Sequence, residues 1–135
     1  MICEILTACA AAKDNDGMFT INGAFTRLTI PHMPAQLQAL VIAIRIRSTS
    51  DEDGQHTLRL FLSELDGKLL GPPAEAGFES KTLDGEEYTW AAAVIQIPNL
   101  RICESNDYLL SLQIDGQSIA NTTLYILDGS KRKPK

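Results

Sequence analysis

Apolar and polar residues alternate with a period of two along several stretches of the chain. In residues 41–47 the even positions are all isoleucine, and Arg45 and Arg47 point the other way. The same alternation recurs in residues 58–63 and 108–115. A period of two is typical of β-strands with one buried face, because successive side chains of a strand point to opposite faces of the sheet.

Turn signals separate these stretches. Of nine glycines, six directly follow aspartate and a seventh follows asparagine. Both residues of such dipeptides tolerate a positive φ, which tight hairpin turns require. The glycines concerned are Gly17, Gly23, Gly54, Gly67, Gly85, Gly116 and Gly129. This number of turns predicts many short antiparallel strands.

The two patterns together predict an all-β fold, a two-sheet antiparallel β-sandwich of eight to nine short strands. A closed barrel is the alternative. A single short helical turn is expected in residues 34–40. The predicted strands are residues 2–11, 17–22, 24–30, 39–48, 56–64, 77–80, 88–97, 108–115 and 117–127.

Length and composition limit the class of protein. The 135 residues fit one domain, which we place at residues 1–130, and 44% apolar residues exclude a disordered chain. No apolar run exceeds six residues, whereas a membrane-spanning helix needs about 20. Residues 131–135 hold four of the twelve basic side chains and are expected to form a flexible tail, either solvated or attached to an acidic partner.

Charge and cysteine content point to an acidic protein of the cytoplasm. A pI near 4.9 argues against non-specific binding of nucleic acid, which needs clustered basic residues. Residues 6–9 look like a lipoprotein cleavage site, but no basic residue precedes them, and Glu4 interrupts the apolar stretch that a leader needs.

Cys3 and Cys9 lie about 20 Å apart if they share a strand, too far for a disulfide. With Cys103 they match no zinc pattern, so we expect three buried or half-buried thiols and no cofactor.

Candidate catalytic residues are few. The two histidines, His32 and His56, are expected in a loop and at a strand end, and neither a nucleophilic serine motif nor a phosphate-binding glycine loop is present. The sequence therefore predicts a protein that is not an enzyme. An enzyme of unrecognised type is the alternative.

Two acidic residues close to one turn suggest a metal site. Asp14 and Asp16 precede Gly17, and hard cations such as calcium prefer carboxylate oxygens. An EF-hand is excluded because Ala12 and Gly23 would occupy its first and last ligand positions. A calcium or small-ligand site shared between acidic loops remains an alternative to ordinary turns.

Three arginines suggest a binding surface. If strands 39–48 and 56–64 form a hairpin, Arg45 lies opposite Arg59 and Arg47 opposite Thr57. Like charges opposite each other on a sheet are unfavourable unless an anion or a carboxylate lies between them. Arg45, Arg47 and Arg59 are therefore candidate partner- or anion-binding residues, the alternative being ordinary surface arginines that neighbour glutamates.

The strand at residues 88–97 is apolar on both faces. Tyr88 and Trp90 share one face with Ala92 and Val94. This pattern is typical of a central strand with both faces covered. If one face proves exposed, it becomes a candidate surface for self-association.

Several motifs resemble a family of small, uncharacterised bacterial proteins. They are Leu6-Thr7-Ala8-Cys9, Asp14-Asn15-Asp16-Gly17, Phe19-Thr20-Ile21-Asn22-Gly23-Ala24-Phe25, Gly54-Gln55-His56-Thr57-Leu58 and Asp66-Gly67-Lys68. The resemblance covers most of residues 5–70, and Ala10 departs from it where members often have an acid. It implies a β-sandwich with no established activity, and it transfers no catalytic residue.

These observations predict a non-enzymatic protein-binding or assembly module in the cytoplasm. Its partner is expected to be an unidentified protein or a second copy of the chain, and neither nucleic acid nor a membrane. Binding would use the arginines or an edge strand that adds to a partner's sheet.

Overall fold

The computed structural model describes residues 1–131, and these residues form an all-β protein of ten strands and two short 3-10 helices. The helices are Ser50–Glu52 and Gly129–Lys131. The strands are β1 (Ile2–Cys9), β2 (Ala11–Asn15), β3 (Met18–Asn22), β4 (Arg27–Ile30), β5 (Ala35–Thr49), β6 (Gly54–Glu64), β7 (Ala74–Ser80), β8 (Tyr88–Ile102), β9 (Asn106–Ile114) and β10 (Gln117–Asp128). Of the predicted tail, residues 132–135 lie outside the described residues. Within the described part, no helix is long and apolar enough to cross a membrane.

The strands form two main sheets and one hairpin. The three-stranded sheet has the order β1-β5-β8, and the five-stranded sheet has the order β4-β10-β9-β6-β7. All neighbours are antiparallel except β4 and β10, which run parallel. The short strands β2 and β3 pair only with each other. Each main sheet has two edge strands, so the predicted sandwich is confirmed and the closed barrel is wrong.

The core lies between the two main sheets and consists of the apolar residues that alternate along their strands. The eight residues at its centre are each at most 2% exposed. Burying one aliphatic side chain contributes about 1.5–3 kcal/mol, so this layer is the main source of stability. Its central members are Ile42, Ile44 and Ile46 of β5, Leu58, Leu60 and Leu62 of β6, and Leu110 and Leu112 of β9.

Two of the predicted Asp-Gly turns are tight two-residue hairpins. Asp16 and Gly17 join β2 to β3 with φ values of 47° and 85°, and Asp115 and Gly116 join β9 to β10 with φ values of 53° and 81°. Positive φ at both positions matches the right-handed twist of the flanking strands. These turns confirm the sequence interpretation, although not every such dipeptide forms a hairpin, since Gly129 lies in a 3-10 helix.

The predicted hairpin between strands 39–48 and 56–64 is wrong. These segments are β5 and β6, and they belong to different sheets. Between them the 3-10 helix Ser50–Glu52 carries the chain across the sandwich rather than back along the same sheet. Alternation shows which face of a strand is buried, but a strand on either side of the core has the same pattern.

Strand lengths also differ from the prediction. β5 and β8 each have 15 residues, so neither is short. The expected helical turn at residues 34–40 is wrong because most of that segment is the first part of β5. The predicted first strand divides into β1 and β2, since the chain turns after Cys9 to form the β2–β3 hairpin.

Truncation of the core should cost far more than truncation of the surface. Ile44 is 0% exposed, whereas Ile2 of the same sheet is 53% exposed. We expect Ile44→Ala to lower the free energy of unfolding by about 2–5 kcal/mol, because it removes buried contacts and leaves a cavity. Ile2→Ala should cost less than about 1 kcal/mol. Urea unfolding measures both, and equal losses would contradict this placement of the core.

Candidate functional site

Aromatic and charged side chains gather on the face of the three-stranded sheet that points away from the core. The register places Arg47 beside Trp90 and Thr49 beside Tyr88, and it places Arg45 beside both Ile5 and Ala92. Alternation therefore turns these side chains to one side. We call this surface the Trp90 face, and it comprises Glu4, Arg45, Arg47, Tyr88, Trp90 and Val94.

Glu4 organises the Trp90 face. Trp90 Nε1 donates a hydrogen bond to Glu4 Oε1 at 3.0 Å, and Arg45 Nε donates to the same oxygen at 3.1 Å. Arg47 Nε lies 3.8 Å from Glu4 Oε2, and the Arg47 guanidinium lies over the Tyr88 ring, 5.0 Å from its centroid. Glu4 reaches both arginines because a bulge between Cys3 and Ile5 inserts an extra residue into β1.

The indole of Trp90 is accessible although it is held in place. Trp90 is 55% exposed, and Val94 on the same strand is 38% exposed. A cleft of about 590 Å³ opens beside it, lined by Glu4, Gly17, Arg45, Thr89 and Trp90. Since Gly17 is the tip of the β2–β3 hairpin, this hairpin lies over part of the outer face and leaves Trp90 uncovered.

The prediction that both faces of the strand at residues 88–97 are covered is wrong. β8 is an edge strand of the three-stranded sheet, and its outer face carries the exposed Trp90 and Val94. An apolar pattern on both faces predicts burial only where another layer lies over the strand. The sequence suggested self-association if one face of this strand proved to be exposed, and the outer face is exposed.

The three candidate arginines do not form one patch. Arg45 and Arg47 lie together on the Trp90 face, but Arg59 lies on β6 in the five-stranded sheet, beside Glu75 and Gln113. The predicted pairing of Arg45 with Arg59 is wrong because the hairpin on which it depended does not form. Glu4 lies between Arg45 and Arg47 and lowers their mutual repulsion.

The predicted metal residues lie on the β2–β3 hairpin. Asp14 is in β2, and Asp16 is the first residue of the tight turn. Among residues 1–131, no group of three or more His, Cys, Asp or Glu side chains is arranged to hold a metal ion. Hard cations take six to eight oxygen ligands, so the geometry gives the calcium hypothesis no support.

A second polar cluster lies where β5 ends and β6 begins, and it centres on His56. Its Nδ1 is 2.6 Å from Asp115 Oδ2, and its Nε2 is 2.6 Å from the backbone oxygen of Glu52. Asp115 Oδ1 also accepts a hydrogen bond from the Thr57 backbone at 2.9 Å. The N-terminal amino group of Met1 is 2.5 Å from Glu52 Oε2.

These contacts favour the protonated form of His56. Both ring nitrogens face acceptors, so both donate when the imidazole carries its second proton. The hydrogen bond to Asp115 raises the pKa of His56, and the same bond lowers the pKa of Asp115. A histidine whose two nitrogens are engaged has none free to accept a proton from a substrate, and His32 is exposed in its loop.

The cysteines are unpaired thiols in the structure. Cys3 and Cys9 both belong to β1, and burial raises the pKa of each thiol. Cys103 is exposed, so the expectation that all three are buried or half-buried is wrong for this residue.

Sequence analysis missed two residues that organise these clusters. From the sequence, Glu4 was interpreted only as an interruption of an apolar stretch. Asp115 was interpreted only as part of an Asp-Gly turn. The single carboxylate within an apolar strand was the one available sign for Glu4. Asp115 is 59 positions from His56 in the chain, and no local pattern connects them.

Removing the Glu4 carboxylate should free the Trp90 indole. We expect Glu4→Ala to lower the fluorescence anisotropy of Trp90, the one tryptophan of the chain, because the Nε1 hydrogen bond is lost. The midpoint of thermal unfolding should change little, since exposed ion pairs contribute about 0–1 kcal/mol. Glu87→Ala, which removes an exposed acid next to β8, is the control. Unchanged anisotropy in Glu4→Ala would contradict the role assigned to Glu4.

The His56–Asp115 pair should make stability depend on pH. A raised histidine pKa gives stabilisation that is complete below the ordinary value of about 6.5 and is lost as the pH rises through the folded-state value. A lowered aspartate pKa gives stabilisation that is present above about 3.9 and is lost as the pH falls through the folded-state value. We therefore expect Asp115→Asn to lower the thermal midpoint most between about pH 4 and 6.5.

The control for this pH series is Asp84→Asn, which makes the same charge change at an exposed loop residue. Thermal unfolding of the wild type and both variants at pH 5 and pH 9 measures the difference. A loss in Asp115→Asn that is the same at both pH values would show that the pair does not act through the charge of His56.

Comparison with other proteins places the chain in a family without placing it in an activity class. A β-glucosidase from Listeria innocua, crystallised in complex with glucose, superposes on 93% of this chain with a TM-score of 0.48 and 8% sequence identity. The chain spans 16% of the length of that enzyme. No curated protein sequence matches it. The sequence profile of a family of unknown function, DUF6941, matches residues 4–127, and the chain therefore belongs to that family.

Proposed function

We propose that this protein is a non-enzymatic binding or assembly module that recognises a protein partner through the Trp90 face. The observation that carries the proposal is Trp90 itself, which is 55% exposed and yet fixed by its hydrogen bond to Glu4. A large aromatic side chain in contact with water contributes little to folding. Such a side chain can instead contribute to the binding of a partner.

The composition of the Trp90 face supports protein recognition. Tryptophan, tyrosine and arginine are the residue types that most often dominate the energy of protein interfaces. Here Trp90 and Tyr88 lie beside Arg45 and Arg47 on neighbouring strands. The ordering cost of binding is reduced because Glu4 already holds Trp90, Arg45 and Arg47 in position.

Local charge favours a partner with acceptor groups around the apolar centre. The single carboxylate of Glu4 serves both Arg45 and Arg47, so the cluster keeps a surplus positive charge. The whole chain, in contrast, has a formal charge of −5. Backbone carbonyls or a carboxylate of the partner would complete the guanidinium hydrogen bonds.

The non-enzymatic part of the proposal is supported by the use of the polar groups. The two ring nitrogens of His56 are engaged by Asp115 and by the Glu52 backbone. On the Trp90 face, the Glu4 carboxylate forms ion pairs with Arg45 and Arg47. We place the module in the cytoplasm, because its three thiols are unpaired and a reducing compartment maintains thiols in that state.

Truncating Trp90 should remove the binding activity and leave the fold intact. The purified protein is first cross-linked to its neighbours in an extract of its host cells, and the captured proteins are identified. Each of them is then purified and titrated against this protein to measure direct binding. We expect Trp90→Ala to weaken direct binding about 30-fold, which corresponds to a hot-spot loss of about 2 kcal/mol. The far-ultraviolet circular dichroism spectrum should stay unchanged.

The matched control is Leu65→Ala, which truncates an apolar side chain that is 62% exposed at the end of β6, away from the Trp90 face. It should bind as the wild type does. If Trp90→Ala binds the purified partner as tightly as Leu65→Ala does, the Trp90 face is not the binding surface.

A further inference from the structure

We propose that the partner of the Trp90 face is a second copy of this chain, and that the two copies pair antiparallel along β8 about a two-fold axis at Ala92. This inference rests on the proposed function and names its partner. It joins two three-stranded sheets into one continuous sheet of six strands.

Among the described residues, no strand is hydrogen-bonded to the side of β8 away from β5, although β7 of the other sheet packs close to β8. β8 is hydrogen-bonded to β5 on one side and is the last strand of its sheet. Alternate backbone N–H and C=O groups of an edge strand point outward and can accept another strand. The pairing of β8 with β5 is regular from Tyr88 to Ile97, so this edge is straight and free of bulges over that stretch.

Each of the other edge strands of the two main sheets carries a feature that discourages pairing. β1 has a bulge with Glu4, β4 has only four residues, and β7 carries the exposed Glu75 and Glu79. Residues 88–96 of β8 contain no charge, no proline and no glycine. Proteins ordinarily protect their edges with charges, bulges or short strands. An unprotected apolar edge is therefore expected where pairing is useful.

The exposed apolar residues of this stretch are arranged to match a two-fold axis. Trp90 and Val94 lie two positions on either side of Ala92, and all three point to the outer face. An antiparallel pair centred on Ala92 places Trp90 of each copy opposite Val94 of the other. Aromatic and β-branched residues form favourable cross-strand pairs. The small Ala92 allows the two strands to approach at the axis.

Charge also selects this orientation. The segment just before β8 contains three acids, Asp84, Glu86 and Glu87, and β8 has one charged residue, Arg101, near its other end. In the antiparallel pair, each acidic segment lies toward the half of β8 that carries Arg101 in the other copy. At about 3.4 Å per residue, even the nearest acids, the two copies of Glu87, are then about 34 Å apart, well beyond the Debye length of about 8 Å. A parallel pair would bring them together.

A cysteine at the axis tests this geometry. The background variant is Cys103→Ser, which removes the exposed native thiol. In this background, Ala92→Cys places the new thiol opposite its own copy, where Cα atoms about 4.5–5.5 Å apart permit a disulfide. We expect mild oxidation to convert most of this variant to a covalent dimer.

The matched control is Gln96→Cys in the same background. Gln96 is exposed on the same outer face, but in this register the two copies of residue 96 lie about 27 Å apart. It should cross-link at least ten times more slowly than Ala92→Cys. Equal rates for the two variants would overturn the register.

Sedimentation equilibrium of the wild type provides a measurement that depends on no new cysteine. We expect a reversible dimer, with a blue shift of Trp90 emission as the concentration rises, and at least tenfold weaker association for Trp90→Ala than for Leu65→Ala. A wild type that stays monomeric at millimolar concentration would overturn the pairing of two copies. The proposed function would then stand only if a different purified protein bound in a Trp90-dependent way, and it would fail if none did.

Discussion

Burial of two aliphatic sheet faces against each other is the constraint on which the rest of this structure depends. β5, β6 and β9 contribute the inward side chains, and their burial offsets the conformational entropy of ordering the chain. Each sheet has two faces, and only one of them can belong to this core. The outer face of the three-stranded sheet must therefore be covered by something else or remain in water. The β2–β3 hairpin covers part of this outer face, and the Trp90 face remains in contact with water.

The two polar clusters serve different purposes because they bridge different elements. His56 and Asp115 connect β6 to the turn between β9 and β10, and Glu52 brings in the N-terminus. That cluster fastens distant parts of the chain together at one end of the core. The contacts of Glu4 all lie on one open sheet face, where solvent weakens ion pairs, so they orient side chains more than they stabilise the fold. Preorganised side chains on an accessible surface are what recognition of a partner requires.

The fold class could be predicted because its signals are local. Two-residue turns such as Asp115-Gly116 depend on the φ preferences of adjacent residues, and the alternation around Ile44 depends on the pleat of a single strand. The pairing of strands depends on residues far apart in sequence. The predicted register between β5 and β6 was consistent in itself, yet the strands lie in opposite sheets. The candidate site was predicted only in part for the same reason, since Arg45 and Arg47 are two residues apart while their partner Glu4 lies about forty residues earlier.

The sequence by itself determined that this chain forms strands, where many of its tight turns lie and which side chains share a face of a strand. It also determined the membership of a family through residues 4–127. Only the tertiary structure decided that β8 is an edge strand, that Trp90 is exposed and that Arg59 is separated from the other two arginines. The physical reason is that alternation reports the two sides of one strand, whereas exposure depends on which strand or layer, if any, lies next to each side.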